Sequence, residues 1–311
     1  MSATGSVFSF ANCCKAVDFY LNLNVLKKQT RGVSGRVNEV FMSRRPQTAC
    51  AAPDWPSLTL SMTKTSENQR LDQLLVAKGL FASRSRARDA VSRGTVSVNG
   101  KIVTKPSLCF AETAVITIDD PAQDYVSRAA LKLVAALDHF KLDPQGHECL
   151  DVGASTGGFT EVLLERGAGH VTAIDVGHGQ IHPRVENNPR VTSIEGLNAR
   201  FLTQDDIDGR EISFIVSDVS FISLKLALAP ALDLAVEGAL TVLLVKPQFE
   251  AGRDAISKAG LLKEPDTAPQ VAAELERWLT EDMGWESLGL IPSPIAGGDG
   301  NVEFLLGGRK P

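Results

Sequence analysis

From residue 128 onward, short apolar runs alternate with segments of helical period, and this alternation restricts the fold more than anything else in the chain. The runs at 148–153, 171–175, 191–195, 212–217, 239–245, 286–291 and 302–307 read as strands, with helices between most of them. That order predicts an α/β domain built on a doubly wound, mostly parallel seven-stranded sheet. In such sheets ligands sit beyond the carboxyl ends of the strands, where the strand order reverses. Residues that end strands are therefore the first candidates for chemistry.

The first of these ends reads LDVGASTGGFTE, residues 150–161. It lacks the Gly-Lys-Ser/Thr ending through which a P-loop offers a lysine to phosphates. Gly153, Gly157 and Gly158 let the backbone pass close to a ligand, and the helix that follows offers its positive end to a negative group. Asp175 closes the next strand, where an acid can accept hydrogen bonds from ribose hydroxyls. Ser155 stands where a dinucleotide fingerprint has its second glycine. A purely structural turn has the same glycines; Asp175 behind it favours a nucleoside cofactor. The D-x-G-x-x-x-G-G form resembles the cofactor loop of class I S-adenosylmethionine (SAM) methyltransferases, whose ligand carries a methionine tail and no pyrophosphate.

Four further residues stand at or near strand ends or over the sheet. Lys132 lies on SRAALKLVAALDHF, Asp218 follows EISFIVS, Lys246 ends ALTVLLVK and Glu303 sits in NVEFLLGG. Singly, each reads as an ordinary surface lysine or salt-bridged acid, and only the set together points to a site. Burial of Lys246 would disfavour its ammonium, and Lys132 nearby would disfavour it further. A neutral amine there can take a proton from an alcohol. Asp218 and Glu303 would orient the lysines and keep them from being uncompensated buried charges.

The N-terminal part is different. Residues 1–66 show no sustained period and read as a disordered or over-extended start; an Arg- and Ser-rich organellar transit peptide is the alternative. Residues 67–118 read as a small RNA-binding domain: a helix that Gly79 stops, a second helix capped by Ser83, then TVSVNGKIV, a hairpin around Asn99-Gly100. Nine basic side chains face three acidic ones over residues 64–110, although the whole chain carries a net charge of −5. Arg84, Arg86 and Arg88 cluster at the start of the second helix, where they can meet phosphate or form a solvated face. Residues 119–127 form a linker, and 128–311 the catalytic domain.

The helix, helix, hairpin order with SRSRARDAVSRGTVSVNG resembles the small RNA-binding domain shared by a ribosomal small-subunit protein, tyrosyl-tRNA synthetases and pseudouridine synthases. The four strand-end residues resemble the catalytic tetrad of the FtsJ-like ribose 2′-O-methyltransferases, carried by SRAALKL, SDVSF, VKP and VEF. With YVSRAALKL, AIDVGHGQ, LNARFL and LVKPQFEAGR, residues 68–309 are similar to the TlyA (haemolysin A) family of ribosomal-RNA cytidine 2′-O-methyltransferases.

The resemblance implies Lys132, Asp218, Lys246 and Glu303 as catalytic residues, and SAM as cofactor on Asp151, Gly153, Ser155, Gly157, Gly158, Phe159, Asp175, Asn198 and Asp218. It further implies 16S rRNA, 23S rRNA or both as partner, bound through Arg70, Arg84, Arg86, Arg88, Arg93, Lys101 and Arg128, with no metal; the cysteine pattern points to the cytoplasm. Departures are Ala129-Ala130 where two glycines are frequent, a less glycine-rich KAGLLKEPDTA, and the N-terminal extension.

Two rivals remain. A membrane-lysing protein needs a spanning or amphipathic apolar segment, and the most apolar stretch, 224–245, is broken by Lys225, Pro230, Asp233 and Glu237. A non-catalytic SAM- and RNA-binding assembly factor would have no need of Lys246. The five cysteines, odd in number and without a C-x-x-C pair, fit neither a disulfide framework nor a zinc site.

Overall fold

The computed structural model describes residues 68–298 and 300–311. The extension expected over residues 1–66 lies outside the described residues.

Five short strands and two helices make the N-terminal domain. Strand β1 (Gln69–Arg70) leads into α1 (Leu71–Ala77), and α2 (Arg84–Ser92) follows after the turn at Gly79. Ser83 caps α2, its hydroxyl accepting from the Arg86 amide at 3.3 Å. Strands β2 (Val96–Val98) and β3 (Lys101–Ile102) form the hairpin, and Asn99 and Gly100 both take positive φ, as a tight two-residue turn demands. Strand β4 (Cys109–Phe110) pairs with β1, and β5 (Ile116–Ile118) with β2. Leu71, Leu75, Ala87, Val91, Val96 and Val98 close a small core. Asp72 is buried beneath it, and hydrogen bonds from Arg70 and Arg84 hold its carboxyl down at about 2.

The second domain opens with α3 (Ala130–Phe140) and β6 (Glu148–Val152), then α4 (Gly158–Glu165) and β7 (His170–Asp175). There follow α5 (Pro183–Glu186), β8 (Val191–Glu195), β9 (Phe214–Ser217), α6 (Leu224–Leu234), β10 (Leu240–Val245), α7 (Pro247–Glu250), α8 (Ala268–Arg277), β11 (Glu286–Pro292) and β12 (Phe304–Arg309). The sheet order is β11-β12-β10-β9-β6-β7-β8, parallel except that β12 runs antiparallel to both neighbours.

Side chains that alternate along these strands point to opposite faces. Thus Phe214 and Val216 pack with Leu133, Leu137, Val162 and Leu163 of α3 and α4, whereas Ile215 packs with Leu224, Leu228 and Leu232 of α6. Both faces are covered, which is why the central strands are apolar almost throughout.

Candidate active site

Strand β6 lies mid-sheet: the chain runs outward through β7 and β8, then crosses back to β9 on its other side. The strand order reverses between β6 and β9, and a crevice opens there at the carboxyl ends. Register places Val152 opposite Ser217, and the Asp218 amide donates to the Val152 carbonyl at 3.1 Å. The glycine turn and the SDVSF turn are therefore adjacent. Gly153 has φ +84, and a Cβ there would lie 2.9 Å from Val219 Cγ1 and 3.1 Å from the Asp218 carbonyl, so only glycine fits. Gly157 (φ +90) precedes α4, and Gly158, its first residue, has no room for a Cβ against Ser127, 2.8 Å away.

Ser155 itself adopts φ +48, the left-handed backbone that glycine favours, which is uncommon for a residue with a side chain. Its amide donates to Asp175 Oδ2 at 2.8 Å and its hydroxyl to Gln180 Oε1 at 3.2 Å. The Gly177 amide occupies the other oxygen of Asp175 at 2.7 Å. A cavity of about 550 Å³ opens over this turn, lined among others by Gly153, Ser155, Asp175, Asn198, Asp218 and Phe221. That volume is in the usual range for a small-ligand site, roughly 300–1,000 Å³.

Asn198 lines the cavity while its side chain caps the turn Ala199–Phe201 by accepting from the Arg200 amide at 3.1 Å. Phe159 is buried in the core against α3 and lines only a small adjoining cavity of about 70 Å³. Asp151 is fully buried one residue before the cavity wall. Its Oδ2 accepts from Thr160 Oγ1 at 2.6 Å, and its Oδ1 has no partner. Burial, reinforced by Asp218 and Asp175, pushes its carboxyl up to about 7.

Strand register also assembles the other four residues. Strands β9, β10 and β12 are neighbours, with Leu243 opposite Ser217 and Val245 opposite Phe304. Asp218, Lys246 and Glu303, each one residue outside its strand, thus share one edge of the sheet. Lys132 reaches that edge from α3, which packs across β10, β11 and β12. Lys246 Nζ pairs with Asp218 Oδ1 at 2.6 Å and Lys132 Nζ with Glu303 Oε2 at 2.5 Å. Lys132, Lys246 and Glu303 are buried. Each amine therefore has its own carboxylate, the compensation that buried charge requires.

Two further residues of the SDVSF string stand at the site, of which the sequence points to Phe221 but not to Ser220. Ser220 Oγ accepts from Lys246 Nζ at 2.7 Å. Phe221 is 90% exposed beside the cavity with φ +64, and its ring lies 5.1 Å from that of Phe249. For Ser220 the signal was that string itself, present without the geometry to read it.

The basic residues divide by partner. Arg88 and Lys101 are exposed. Arg70 and Arg84 each give part of a guanidinium to Asp72 and are 42% and 55% exposed. Arg86 instead donates to the carbonyls of Ala122 at 3.0 Å and Tyr125 at 2.7 Å, pinning the interdomain segment. Arg93 forks onto Asp120 at 2.8 and 2.9 Å and also binds Asp89, which pairs in turn with Arg128. On the other side Val126 donates its amide to Glu161 Oε2 at 2.7 Å. These bonds clasp the two domains together. Arg88, Arg93 and Arg128 nonetheless line a groove of about 960 Å³ between α2 and the loop around Gly297 and Gly298.

This difference is measurable. On the sequence reading of Arg88 as a phosphate contact, Arg88→Ala is expected to weaken RNA binding and lower the slope of log affinity against log salt by about 1, the value for one lost contact. Arg86→Ala should leave that slope nearly unchanged and instead open residues 119–127 to limited proteolysis.

A doubly wound sheet with a glycine turn at its switch point and one antiparallel strand, β12, inserted between β10 and β11 is the architecture of a class I methyltransferase. A model for the FtsJ-like methyltransferase family matches residues 125–310, and one for the S4 domain matches residues 69–108. The chain belongs to the FtsJ-like methyltransferase family and carries an S4 domain in front of it.

Among its relatives, the 16S/23S rRNA (cytidine-2′-O)-methyltransferase TlyA of Mycobacterium tuberculosis is 44% identical over 239 residues, 76% of this chain and 88% of that protein. Hemolysin A of Brachyspira hyodysenteriae is 38% identical, covering 76% of this chain and 98% of that protein. A solved structure, "Putative hemolysin from Streptococcus thermophilus", is 39% identical with a TM-score of 0.61, covering 78% of this chain and 88% of that one.

Proposed function

We propose that this protein transfers a methyl group from SAM to the ribose 2′-hydroxyl of a cytidine in ribosomal RNA. In this reading residues 67–118 engage RNA, 119–127 link and 128–311 catalyse. The observation that carries it is the pair of lysine–acid contacts, Lys246 with Asp218 and Lys132 with Glu303, on the sheet edge beside the glycine-turn cavity. A carrier or assembly factor would not need two buried amines there. Among the described residues no helix is long and apolar enough to cross a membrane.

The residues present fit a nucleoside cofactor with an amino-acid tail. Gly153 leaves backbone open to close approach, the unpartnered Oδ1 of Asp151 suits a cationic amino group, and Asp175 and Asn198 would serve the ribose and adenine. When bound, SAM supplies a methyl on positively charged sulfur, which departs as a neutral thioether. Lys246 as the neutral amine receives the 2′-hydroxyl proton while the ribose oxygen forms its bond to the methyl carbon, and Asp218 balances the ammonium that results. Asp218 holds Lys246 in place, and Lys132 with Glu303 positions the ribose. The exposed ring of Phe221 offers a face on which the target base can stack.

The test is direct: purified protein, ribosomal subunits and labelled SAM, with 2′-O-methyl groups mapped by mass spectrometry. New methyls on ribose oxygens are expected. Methyls on bases, or none with lysis of erythrocytes instead, would overturn the reading.

Asp151 makes the fold pH-dependent in a defined sense. Its carboxyl is raised from the ordinary range to about 7, so its contribution to stability is full below about pH 4 and is lost as pH rises through about 7. Asp151→Asn carries no such loss. Thermal melts should show wild type falling relative to Asp151→Asn between pH 5 and pH 8, and the variant should bind SAM more weakly.

A further inference from the structure

The proposed reaction leaves one contact unexplained. Lys246 Nζ is anchored twice from a single turn, by Asp218 Oδ1 at 2.6 Å and by Ser220 Oγ at 2.7 Å. The carboxylate alone balances the ammonium that forms when Lys246 takes the proton, so charge balance does not account for the hydroxyl. Ser220 is exposed and lines the 550 Å³ cavity, whereas Lys246 is buried.

We propose that Ser220 is a positioning residue that aims the proton-accepting direction of Lys246 at the ribose 2′-oxygen. The inference rests on the 2′-O-methyl reading above and adds to it a residue outside the tetrad. A lysine nitrogen has four tetrahedral directions. One is the bond to Cε, and two N–H groups are committed to Asp218 and Ser220. In the neutral amine the two directions left by Cε and Asp218 hold one N–H and one lone pair, which can exchange places. Ser220 Oγ, by accepting an N–H, assigns one of these directions to hydrogen and leaves the other to the lone pair that takes the proton. Proton transfer needs heavy atoms within about 2.6–3.2 Å and aligned, so losing this alignment slows the chemical step without changing what the site binds.

The anchor is also well founded. Asp218 and Ser220 flank Val219, whose Cα and Cγ1 lie against Gly153, so the turn that carries both anchors rests on the glycine turn of the cofactor cavity. Both therefore move with the wall of that cavity rather than with solvent.

The experiment compares wild type, Ser220→Ala and Ser220→Thr by single-turnover and steady-state methylation of ribosomal subunits, with SAM affinity measured by calorimetry. Ser220→Ala is expected to lower kcat roughly 10- to 100-fold, with the Kd for SAM and the KM for RNA within about threefold of wild type. Ser220→Thr, which restores a hydroxyl, should recover most of kcat. Because the side chain is exposed, an unchanged SAM affinity also reports that the variant is folded. Wild-type kcat in Ser220→Ala overturns the inference, as does a loss that tracks SAM affinity or one that threonine fails to restore. If wild type places no methyl on ribose oxygens, the reaction reading fails and the inference fails with it; if wild type does and Ser220→Ala matches it, only the inference fails.

Discussion

Lys246→Ala is expected to bind SAM as wild type does and to transfer methyl groups roughly 10²- to 10⁴-fold more slowly, the range that a positioned general base contributes. The two properties separate because the wall of the cavity is built by other residues, from Gly153 and Asp175 to Asn198 and Phe221. Alanine also removes the partner of Asp218, whose side chain is 19% exposed, so a stability loss accompanies the change. Lys246→Arg distinguishes the two effects. A guanidinium keeps the ion pair with Asp218 and cannot give up its proton, so the arginine variant should melt close to wild type and still be inactive. Melting curves, calorimetric SAM binding and methyl incorporation on the three proteins check this. Near-wild-type turnover in Lys246→Arg would remove the base from the mechanism.

How far this site was legible in the sequence follows from what strands do. An apolar run that stops at a charged residue marks a strand end, and in a doubly wound sheet strand ends converge; Asp218 and Lys246 could be named on that ground alone. Glu303 depends on more. It is useful only because β12 runs antiparallel between β10 and β11, which places the start of that strand beside the end of β10. Nothing in the string NVEFLLGG fixes that direction, and it was the family's motif that carried the residue.

The arginines show the opposite case. A charge run reports which side chains are cationic but not which acceptors reach them. The carbonyls that occupy Arg86 belong to Ala122 and Tyr125, and the carboxylate that occupies Arg93 belongs to Asp120, all far along the chain. RNA contact and domain clasp look alike until those partners are placed. Ser155 is a smaller instance: a serine stands where the dinucleotide fingerprint has glycine, yet the backbone there takes the left-handed conformation that glycine favours.

Glu303→Ala tests the other ion pair and should be the most destabilising single change at the site. Lys132 and Glu303 side chains are 7% and 3% exposed, with Nζ and Oε2 2.5 Å apart. Removing one partner of a buried pair leaves an uncompensated charge and costs about 3–5 kcal/mol, which for a domain of this size lowers the melting temperature by on the order of 10 °C. The pair itself is not required for stability. Desolvating two ions offsets most of their attraction, so replacing both by apolar side chains of similar volume is commonly neutral or better. The double variant Lys132→Met with Glu303→Leu is therefore expected to melt near wild type while Glu303→Ala does not. Activity should follow a different order, absent in both, because an apolar pair cannot hold a ribose. If the double variant regained turnover along with stability, Lys132 and Glu303 would be part of the core alone and the catalytic set would reduce to Asp218 and Lys246.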